Sequence, residues 1–180
     1  DFLSVPELGP THPTVAFLHQ LANFPKPIVA AVAGLAIGIG TTALLHCELV
    51  YAAPGCRFQL PFTKLGLCPE AASSLLLPRL VGYQRAAQYL LLAEPFNSEQ
   101  ALQMGLVNEL VAPEALSQHA QQKARQLAAL PAEAVRISKA LLKQTAPALS
   151  NVISDELVHF QQLLQSEACQ QQLKAFLTPK

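Results

Sequence analysis

One acidic residue stands alone in a segment of apolar and small residues. Glu70 lies within residues 58–74, and its nearest acidic neighbours along the sequence are Glu48 and Glu94. Because an isolated carboxylate in apolar surroundings is costly to ionise, we expect its pKa to rise towards neutrality. Such a group is suited to reversible proton transfer near neutral pH. The alternative is a helix N-terminal acid, placed directly after Pro69 to complement the helix dipole, and the spacing alone leaves both open.

A second candidate site is the glycine-rich stretch at residues 34–40. It follows an apolar, partly β-branched run at 28–33, which predicts a buried parallel strand, and Thr41 and Thr42 then begin a predicted helix. The glycine spacing matches neither standard phosphate-binding pattern, and no lysine follows. The same geometry suits an oxyanion site, where backbone N–H groups at a helix N-terminus stabilise charge developing on a carbonyl oxygen. Close packing of a strand on a helix also requires glycine, and both uses are compatible.

The elements that must position these groups are strands early in the chain and helices late. Further strands are predicted at 48–52 and 57–60, with a brief extended segment at 106–111. Helices are predicted at 14–23, from about 70, from about 84, from Ser98, and from Pro113 onward, with breaks at Pro131 and Pro147 and a final amphipathic helix at 152–177. This order predicts an α/β fold, with a core at residues 1–111 and a helical region at residues 112–180.

Composition excludes several classes of protein. The 180 residues are 51% hydrophobic and 13% charged, which is typical of a folded chain with a large core. Twelve basic residues balance twelve acidic ones without a basic stripe, and the richest apolar run is interrupted by glycines, so we expect no nucleic acid and no membrane partner. The four cysteines and five histidines show no ligand spacing. We therefore expect no metal, reduced thiols and a cytoplasmic location.

A series of short motifs follows in a fixed order along nearly the whole chain. The first motif, at 26–40, begins with Lys-Pro and continues through an apolar run into the glycine-rich stretch. The others are Phe58-Gln59-Leu60-Pro61-Phe62 with Leu65-Gly66, Pro69-Glu70-Ala71, and the segments at 77–82 and 101–111. In this order the motifs resemble the crotonase superfamily, the enoyl-CoA hydratase/isomerase family. The resemblance implies a crotonase-like ββα spiral core followed by a C-terminal helical region that makes a homotrimer or a dimer of trimers.

Within that superfamily, the resemblance implies an isomerase. The hydratases carry two glutamates at positions matched here by Thr42 and Phe62, and neither of these side chains can move a proton to or from water. The acid is instead at Glu70, as in Δ3,Δ2-enoyl-CoA isomerases of the peroxisomal type. We therefore expect a 3-enoyl-CoA to be converted to a 2-enoyl-CoA in fatty acid β-oxidation, with Glu70 carrying the proton. No separate cofactor is expected, because coenzyme A is part of the acyl-CoA substrate.

The resemblance also implies the rest of the site. The backbone N–H of Ile39 is expected to be one oxyanion-hole donor. Gly38 and Pro69 are expected to contact the substrate, and Phe62 and Leu65 to wall the acyl group and exclude water.

The start of the sequence bears on this expectation. Asp1 is not a methionine, and the family's first strands and its second oxyanion donor would precede the residues matched by Asp1-Phe2-Leu3. We therefore expect an interior fragment that carries half of the oxyanion hole. Two alternatives to an isomerase remain open. One is another crotonase-type acyl-CoA enzyme, such as a hydratase or hydrolase, since one fold hosts many reactions; the other is a non-catalytic acyl-CoA-binding module.

The predicted final helix is unusually apolar for a chain terminus. Its apolar residues are Val152, Leu157, Phe160, Leu164, Leu173, Phe176 and Leu177. The resemblance implies that they pack between subunits, so that residues 112–180 form a trimerisation region. The alternative is that the helix covers its own domain.

Overall fold

Two small sheets form the centre of the fold in the computed structural model, which describes residues 12–144 and 147–177. The match at Asp1-Phe2-Leu3 lies outside these residues. Within them, the strands are β1 (Val29–Val32), β2 (Leu35–Ile37), β3 (Leu49–Ala52), β4 (Arg57–Gln59), β5 (Phe96–Asn97) and β6 (Glu109–Leu110). The strands predicted at 28–33, 48–52 and 57–60 are therefore confirmed.

The two sheets differ in strand direction. One has the order β1-β3-β6 and is parallel throughout, with Val29 opposite Leu49 and Tyr51 opposite Glu109. The other has the order β2-β4-β5, in which β2 and β4 are parallel and β4 and β5 are antiparallel. Phe58 on β4 stacks on Phe96 on β5, with ring centroids 5.4 Å apart, and both rings are buried. This contact places the apolar core beside β4, the strand that leads into the predicted site.

The prediction that residues 34–40 form a turn throughout is wrong, because Leu35–Ile37 is the strand β2. These residues pair in register with Arg57–Gln59 and so satisfy their backbone hydrogen bonds in the sheet. Gly34 (φ 128°) and Gly38 (φ 57°) bend the chain at the two ends. The next helix, α2 (Ile39–Thr42), begins two residues earlier than predicted and continues as a 3₁₀ turn at Ala43–His46.

Helices dominate the rest of the described residues. They are α1 (Pro13–Ala22), α3 (Ser73–Val81), α4 (Tyr83–Leu91), α5 (Ser98–Gln103), α6 (Pro113–Ala128), α7 (Ala132–Leu142), α8 (Leu149–Leu164) and α9 (Glu167–Leu177). The breaks predicted at Pro131 and Pro147 are confirmed. No helix within 12–144 or 147–177 combines the length and the hydropathy that a membrane span requires.

The prediction of one final helix over 152–177 is wrong, because the chain turns between α8 and α9. The Ser166 hydroxyl accepts a hydrogen bond from the Cys169 N–H at 3.2 Å, and donates one to the Leu163 carbonyl at 2.6 Å. Ser166 thus caps the start of α9, as serine commonly does at a helix N-terminus. The break allows α9 to fold back onto the domain.

The two C-terminal helices pack on their own domain. Phe160, Leu164 and Leu173 are buried, Val152 and Leu157 are half-buried, and Phe176 and Leu177 are exposed. Helix α8 contacts α1, and α9 contacts the 3₁₀ turn at Thr63–Leu65. This is the arrangement of the alternative in which the segment covers its own domain. A trimerisation region at 112–180 stays a prediction.

The cysteines and one buried ion pair complete the core. All four cysteines are free thiols, and Cys56 and Cys169 are buried. Lys139 on α7 is buried and donates to Glu48 at 3.0 Å, while Glu48 also accepts the Ile28 N–H at 2.7 Å. The Glu48 carboxylate therefore anchors α7 beside the start of β1 and is not part of the site described below.

Gly66 is required by the packing of α9. Its φ of +72° suits glycine, and a Cβ there would lie 2.9 Å from the Cys169 Cα. We predict that Gly66→Ala lowers the free energy of unfolding by about 2–4 kcal/mol, the sum of left-handed strain and overpacking. Urea denaturation measures it. The control is Gly55→Ala, which has a φ of +81° but open space around the added Cβ, and should cost about 1 kcal/mol. Equal losses in the two variants would contradict the close approach of α9.

Candidate active site

An apolar cavity of about 470 Å³ lies where the β2 end of one sheet meets helices α1, α8 and α9. Its described lining is Thr14, Leu18, Ile37, Gly38, Ile39, Gln59, Pro61, Phe62, Leu65, Leu67, Glu70, Leu157, Phe160, Leu173, Phe176 and Leu177. Glu70 is the one ionisable residue in that set. An apolar cavity with a single acid is the arrangement expected for proton transfer on an apolar ligand.

Glu70 reaches the cavity from the turn that precedes α3, not from the helix itself. Helix α3 begins three residues later, at Ser73, whose N–H and hydroxyl both donate to the Glu70 carbonyl, at 3.0 and 2.6 Å. The N-terminus of α3 is occupied by a different carboxylate, that of Glu156 on α8, which accepts the Ser74 N–H at 3.0 Å. The alternative prediction, that Glu70 is a helix N-terminal acid, is therefore wrong, because the Glu156 carboxylate occupies that position.

The pKa of Glu70 is raised from its ordinary value of 4.5 to about 7. Burial is the largest cause, since only 7% of the residue is exposed. A hydrogen bond from Thr42 acts in the opposite direction, and the nearby charge of Glu156 raises the pKa further. The expectation of a pKa near neutrality is therefore confirmed, with desolvation as its main cause.

Thr42 is the direct partner of the Glu70 carboxyl group. Its hydroxyl donates to Glu70 Oε1 at 2.5 Å and lies 3.5 Å from the Gly38 carbonyl oxygen. When Glu70 is ionised, Thr42 donates to it. When Glu70 is protonated, its O–H can donate to the Thr42 hydroxyl oxygen. The Thr42 hydroxyl proton can then turn towards the Gly38 carbonyl oxygen. The sequence identified Thr42 only as the place of a missing glutamate, and no local signal indicated this contact.

Ile39, the predicted oxyanion donor, and Gly38, a predicted substrate contact, lie on the same wall of the cavity as Glu70. Gly38 has φ 57° and ψ −120°, a turn conformation that favours glycine, and its N–H donates to the Gln59 carbonyl at 2.9 Å. Ile39 is the first residue of α2, so its N–H has no acceptor within that helix. Both residues line the cavity together with Glu70. The predicted second donor precedes Asp1 and lies outside the described residues.

The two predicted wall residues line the cavity, but the predicted substrate contact Pro69 does not. Phe62 and Leu65 line the cavity with Glu70. Pro69 does not: it lines a separate, more open pocket beside Glu156. Sequence reasoning missed the wall residues that come from distant segments, which are Leu18 on α1, Leu157 and Phe160 on α8, and Leu173 on α9. For the three C-terminal residues, the signal was the surplus of apolar residues in the predicted final helix, for which a subunit interface and a cover of the chain's own domain were both open.

Comparison with known proteins identifies the class that this fold and site define. Residues 9–179 match the family described as enoyl-CoA hydratase/isomerase. The chain therefore belongs to the enoyl-CoA hydratase/isomerase family, within the crotonase superfamily. Among solved structures, that of Pseudomonas aeruginosa OdaA is similar, with a TM-score of 0.94 and 42% identity over 99% of this chain and 73% of that chain. This likeness confirms the crotonase-like fold.

Two curated relatives are isomerases by name. Enoyl-CoA delta isomerase 2 of Rattus norvegicus is 34% identical over 165 residues, which are 91% of this chain and 42% of that protein. The 1,2-epoxyphenylacetyl-CoA isomerase of Escherichia coli strain K12 is 41% identical over 114 residues, which are 63% of this chain and 44% of that protein. The chain thus spans less than half the length of each relative.

The raised pKa of Glu70 predicts a stability that depends on pH. A carboxyl whose folded pKa lies above its unfolded value stabilises the fold at low pH, and this contribution is lost as pH rises through the folded pKa. The glutamine side chain of Glu70→Gln cannot ionise and does not lose this contribution. The difference in free energy of unfolding, variant minus wild type, should therefore increase between pH 5 and pH 8.5. The difference between 4.5 and about 7 sets an upper limit of roughly 3 kcal/mol.

Urea denaturation at both pH values measures this gain. Glu114→Gln is the matched control, because Glu114 is exposed in the first turn of α6. A stability difference between Glu70→Gln and wild type that does not change with pH would show that the Glu70 pKa is not raised.

Proposed function

We propose that the protein is a crotonase-type enzyme that shifts the double bond of a 3-enoyl-CoA to give a 2-enoyl-CoA. The observation that carries the proposal is the single carboxyl group, Glu70, facing a cavity whose other described walls hold no ionisable residue. A 1,3-proton shift needs one group that alternates between base and acid. A carboxyl with a pKa of about 7 is matched to both roles at neutral pH.

The reaction proceeds in two proton transfers on one face of the substrate. The Glu70 carboxylate removes a proton from C2, and the electron pair of that C–H bond forms the dienolate of the thioester. Protonation of C4 by Glu70 then leaves the double bond between C2 and C3. Negative charge on the thioester oxygen is stabilised by the Ile39 N–H, and loss of one such donor typically costs about 3 kcal/mol. Nothing is oxidised or reduced, and no cofactor besides the CoA of the substrate takes part.

Thr42 and Glu70 together support isomerisation over hydration. Hydration requires an activated water as well as a proton donor, and therefore a second group to hold that water. At the two positions where the superfamily's hydratases carry glutamate, this chain has Thr42, whose hydroxyl is directed to Glu70, and Phe62, which is buried in the cavity wall. An apolar wall at Phe62 also keeps water from the dienolate.

The relatives support the class of reaction but not one substrate. The names of the rat and Escherichia coli relatives both describe isomerases of CoA esters, on an enoyl and on an epoxyphenylacetyl group. These names support an acyl-CoA substrate, and the proposed conversion of a 3-enoyl-CoA is the basis on which we propose a role in fatty acid β-oxidation.

Replacement of Glu70 tests the proposal directly. Glu70→Gln should lower the turnover of a 3-enoyl-CoA by at least about 100-fold, because a positioned acid or base contributes that much, while acyl-CoA affinity changes little. Turnover is followed by the absorbance of the conjugated 2-enoyl product, and affinity by calorimetry. The exposed Glu114→Gln change is the matched control and should retain wild-type turnover.

The same assay separates the alternatives. Near wild-type turnover in Glu70→Gln would remove Glu70 from the chemistry. Hydration of a 2-enoyl-CoA by the wild type at a rate comparable to isomerisation would favour a hydratase instead. Acyl-CoA binding without turnover of either substrate would favour a binding module.

We also propose that the protein forms a trimer or a dimer of trimers through its C-terminal helices. Large apolar side chains on α7, α8 and α9 are exposed in the single chain, among them Leu142 (83%), Val158 (67%) and Phe176 (73%). Exposed apolar area on this scale is commonly covered by a partner. Light scattering should therefore give three or six times the chain mass.

A charge on this surface tests the assembly. Val158→Glu should shift the protein towards smaller species, whereas Gln172→Glu, at an exposed polar position of α9, should not. A wild-type monomer at micromolar concentration would reject the oligomer and leave α8 and α9 as an intramolecular cover of the cavity.

A further inference from the structure

The turn that carries Glu70 has an unfavourable backbone conformation. Ala71 (φ 57°) and Ala72 (φ 55°) are both left-handed, and neither is glycine. For a residue with a Cβ, this conformation costs roughly 1–2 kcal/mol. Two such residues in succession persist only where the surrounding structure holds them. Glu70 directly precedes the pair, so the direction of its side chain depends on whatever holds the turn.

The strongest contacts to this turn come from a carboxylate 86 residues further along the chain than Glu70. Glu156 Oε2 accepts the Ala72 N–H at 2.6 Å. Glu156 Oε1 accepts the Ser74 N–H at 3.0 Å and the Ser74 hydroxyl at 2.5 Å. Burial raises the pKa of Glu156, and the hydrogen bonds from Ser74 and Ala72 act against that rise because they favour the ionised form. Three donors on two oxygens fit an ionised carboxylate, and charge-assisted hydrogen bonds of this kind are stronger than neutral ones.

A second buried group holds the same turn from the opposite side. His46 is buried and its Nε2 lies 2.7 Å from the Ala71 carbonyl oxygen. Because the acceptor is a carbonyl, Nε2 carries the proton. Burial lowers the pKa of His46, so the ring is neutral. The Ala71 carbonyl and the Ala72 N–H are thus each tied to a different element of the fold.

We propose that Glu156 is a positioning residue for Glu70: from helix α8 it fixes the left-handed turn at Ala71 and Ala72, and so directs the Glu70 carboxyl group into the cavity. The inference rests on the proposed function in one respect, that Glu70 moves a proton. The same helix supplies Leu157 and Phe160 to the cavity wall. Helix α8 therefore contributes both to the wall of the cavity and to the contacts that hold the turn carrying its acid.

A purely structural role is the competing explanation, since a carboxylate at a helix N-terminus stabilises the helix by itself. The two roles differ in what they do to Glu70. The charge of Glu156 raises the Glu70 pKa in either case, whereas only a positioning residue also changes turnover and the exposure of Glu70 to water.

The test compares Glu156→Ala and Glu156→Gln with Asp155→Asn. Asp155 is the adjacent acid on α8 and is exposed. In isomerase assays at 25 °C, Glu156→Ala should lower kcat about tenfold or more, because displacement by about 1 Å can cost far more than that, with KM changed less than threefold. Glu156→Gln keeps one oxygen that can accept a hydrogen bond, and this variant should lower kcat about threefold or more. Asp155→Asn should stay within twofold of wild type.

A double variant shows whether Glu156 acts through Glu70. In the Glu70→Gln background there is no acid left to position, so adding Glu156→Ala should lower the residual kcat by less than about twofold. A tenfold or greater further loss would show that Glu156 acts on turnover by another route and would overturn the proposal. So would wild-type kcat in both Glu156 single variants.

Titration of Glu70 gives a readout that needs no activity. With ¹³C-labelled glutamate, the Glu70 carboxyl signal is identified by its loss in Glu70→Gln. Glu156→Gln and Glu156→Ala remove the same neighbouring negative charge, so both should lower the pKa of Glu70. Glu156→Ala also releases the turn and exposes Glu70 to water, so it should lower that pKa further, whereas Asp155→Asn should leave it unchanged. Equal Glu70 pKa values in the two Glu156 variants would overturn the proposal, because charge alone would then explain the shift. An unchanged Glu70 pKa in Glu156→Gln would also overturn it, and this variant decides where Glu156→Ala fails to fold, because it retains the shape of the side chain.

The groups that face these two carboxyls are few among the described residues. Thr42 donates to Glu70. Around Glu156 are Cys68, whose thiol pKa is raised to about 11 by burial, and Asp155 and His159, which line the same open pocket. A His159→Gln variant therefore completes the titration series, and its Glu70 pKa should match the wild type. If the wild type lacks isomerase activity, the proposed function fails while the titration still decides the role of Glu156.

Discussion

Desolvation of the Glu70 carboxyl group is the interaction on which the rest of the site depends. In water this group would be ionised and weakly basic at neutral pH. In a cavity lined by Phe62, Leu157 and Phe160, the charged form loses its hydration. One hydrogen bond from Thr42 compensates only part of that loss. The balance places the pKa at about 7. The apolar residues that line the cavity thus also raise the pKa of its one described acid into the range that the proposed proton transfer requires.

This balance requires distant segments of the chain to pack against two short turns near Glu70. The 3₁₀ turn with Gly66 lets α9 approach its backbone closely. The Ala71–Ala72 turn is held by His46 on one side and by Glu156 on the other. At Ala71 and Ala72, an unfavourable backbone conformation is stabilised by contacts with elements far away in the sequence. Strain held in this way is common at functional sites, because the surrounding packing determines the geometry more strictly than local preference does.

The sequence predicts those parts of the site that depend on residue type and local spacing. Glu70 is visible because it is the lone acid in its segment, and Gly38 because a turn before a helix favours glycine. The strand β2 was missed because three residues between two glycines carry too short a pattern. The break before α9 was missed because Ser166, which caps that helix, lies in a polar, glutamine-rich stretch where nothing distinguishes it from any other serine.

The parts that the sequence could not predict are the non-local ones. Alanine gives no indication of a left-handed conformation, so the strain at Ala71 and Ala72 is hidden until the fold is known. Glu156 reads as one polar residue of an amphipathic helix, although its carboxylate is buried and accepts three hydrogen bonds. Thr42 reads as the loss of a hydratase acid. In the structure it is instead the group that can hydrogen-bond to Glu70 in either protonation state, as the proposed proton transfer through a single carboxyl group requires.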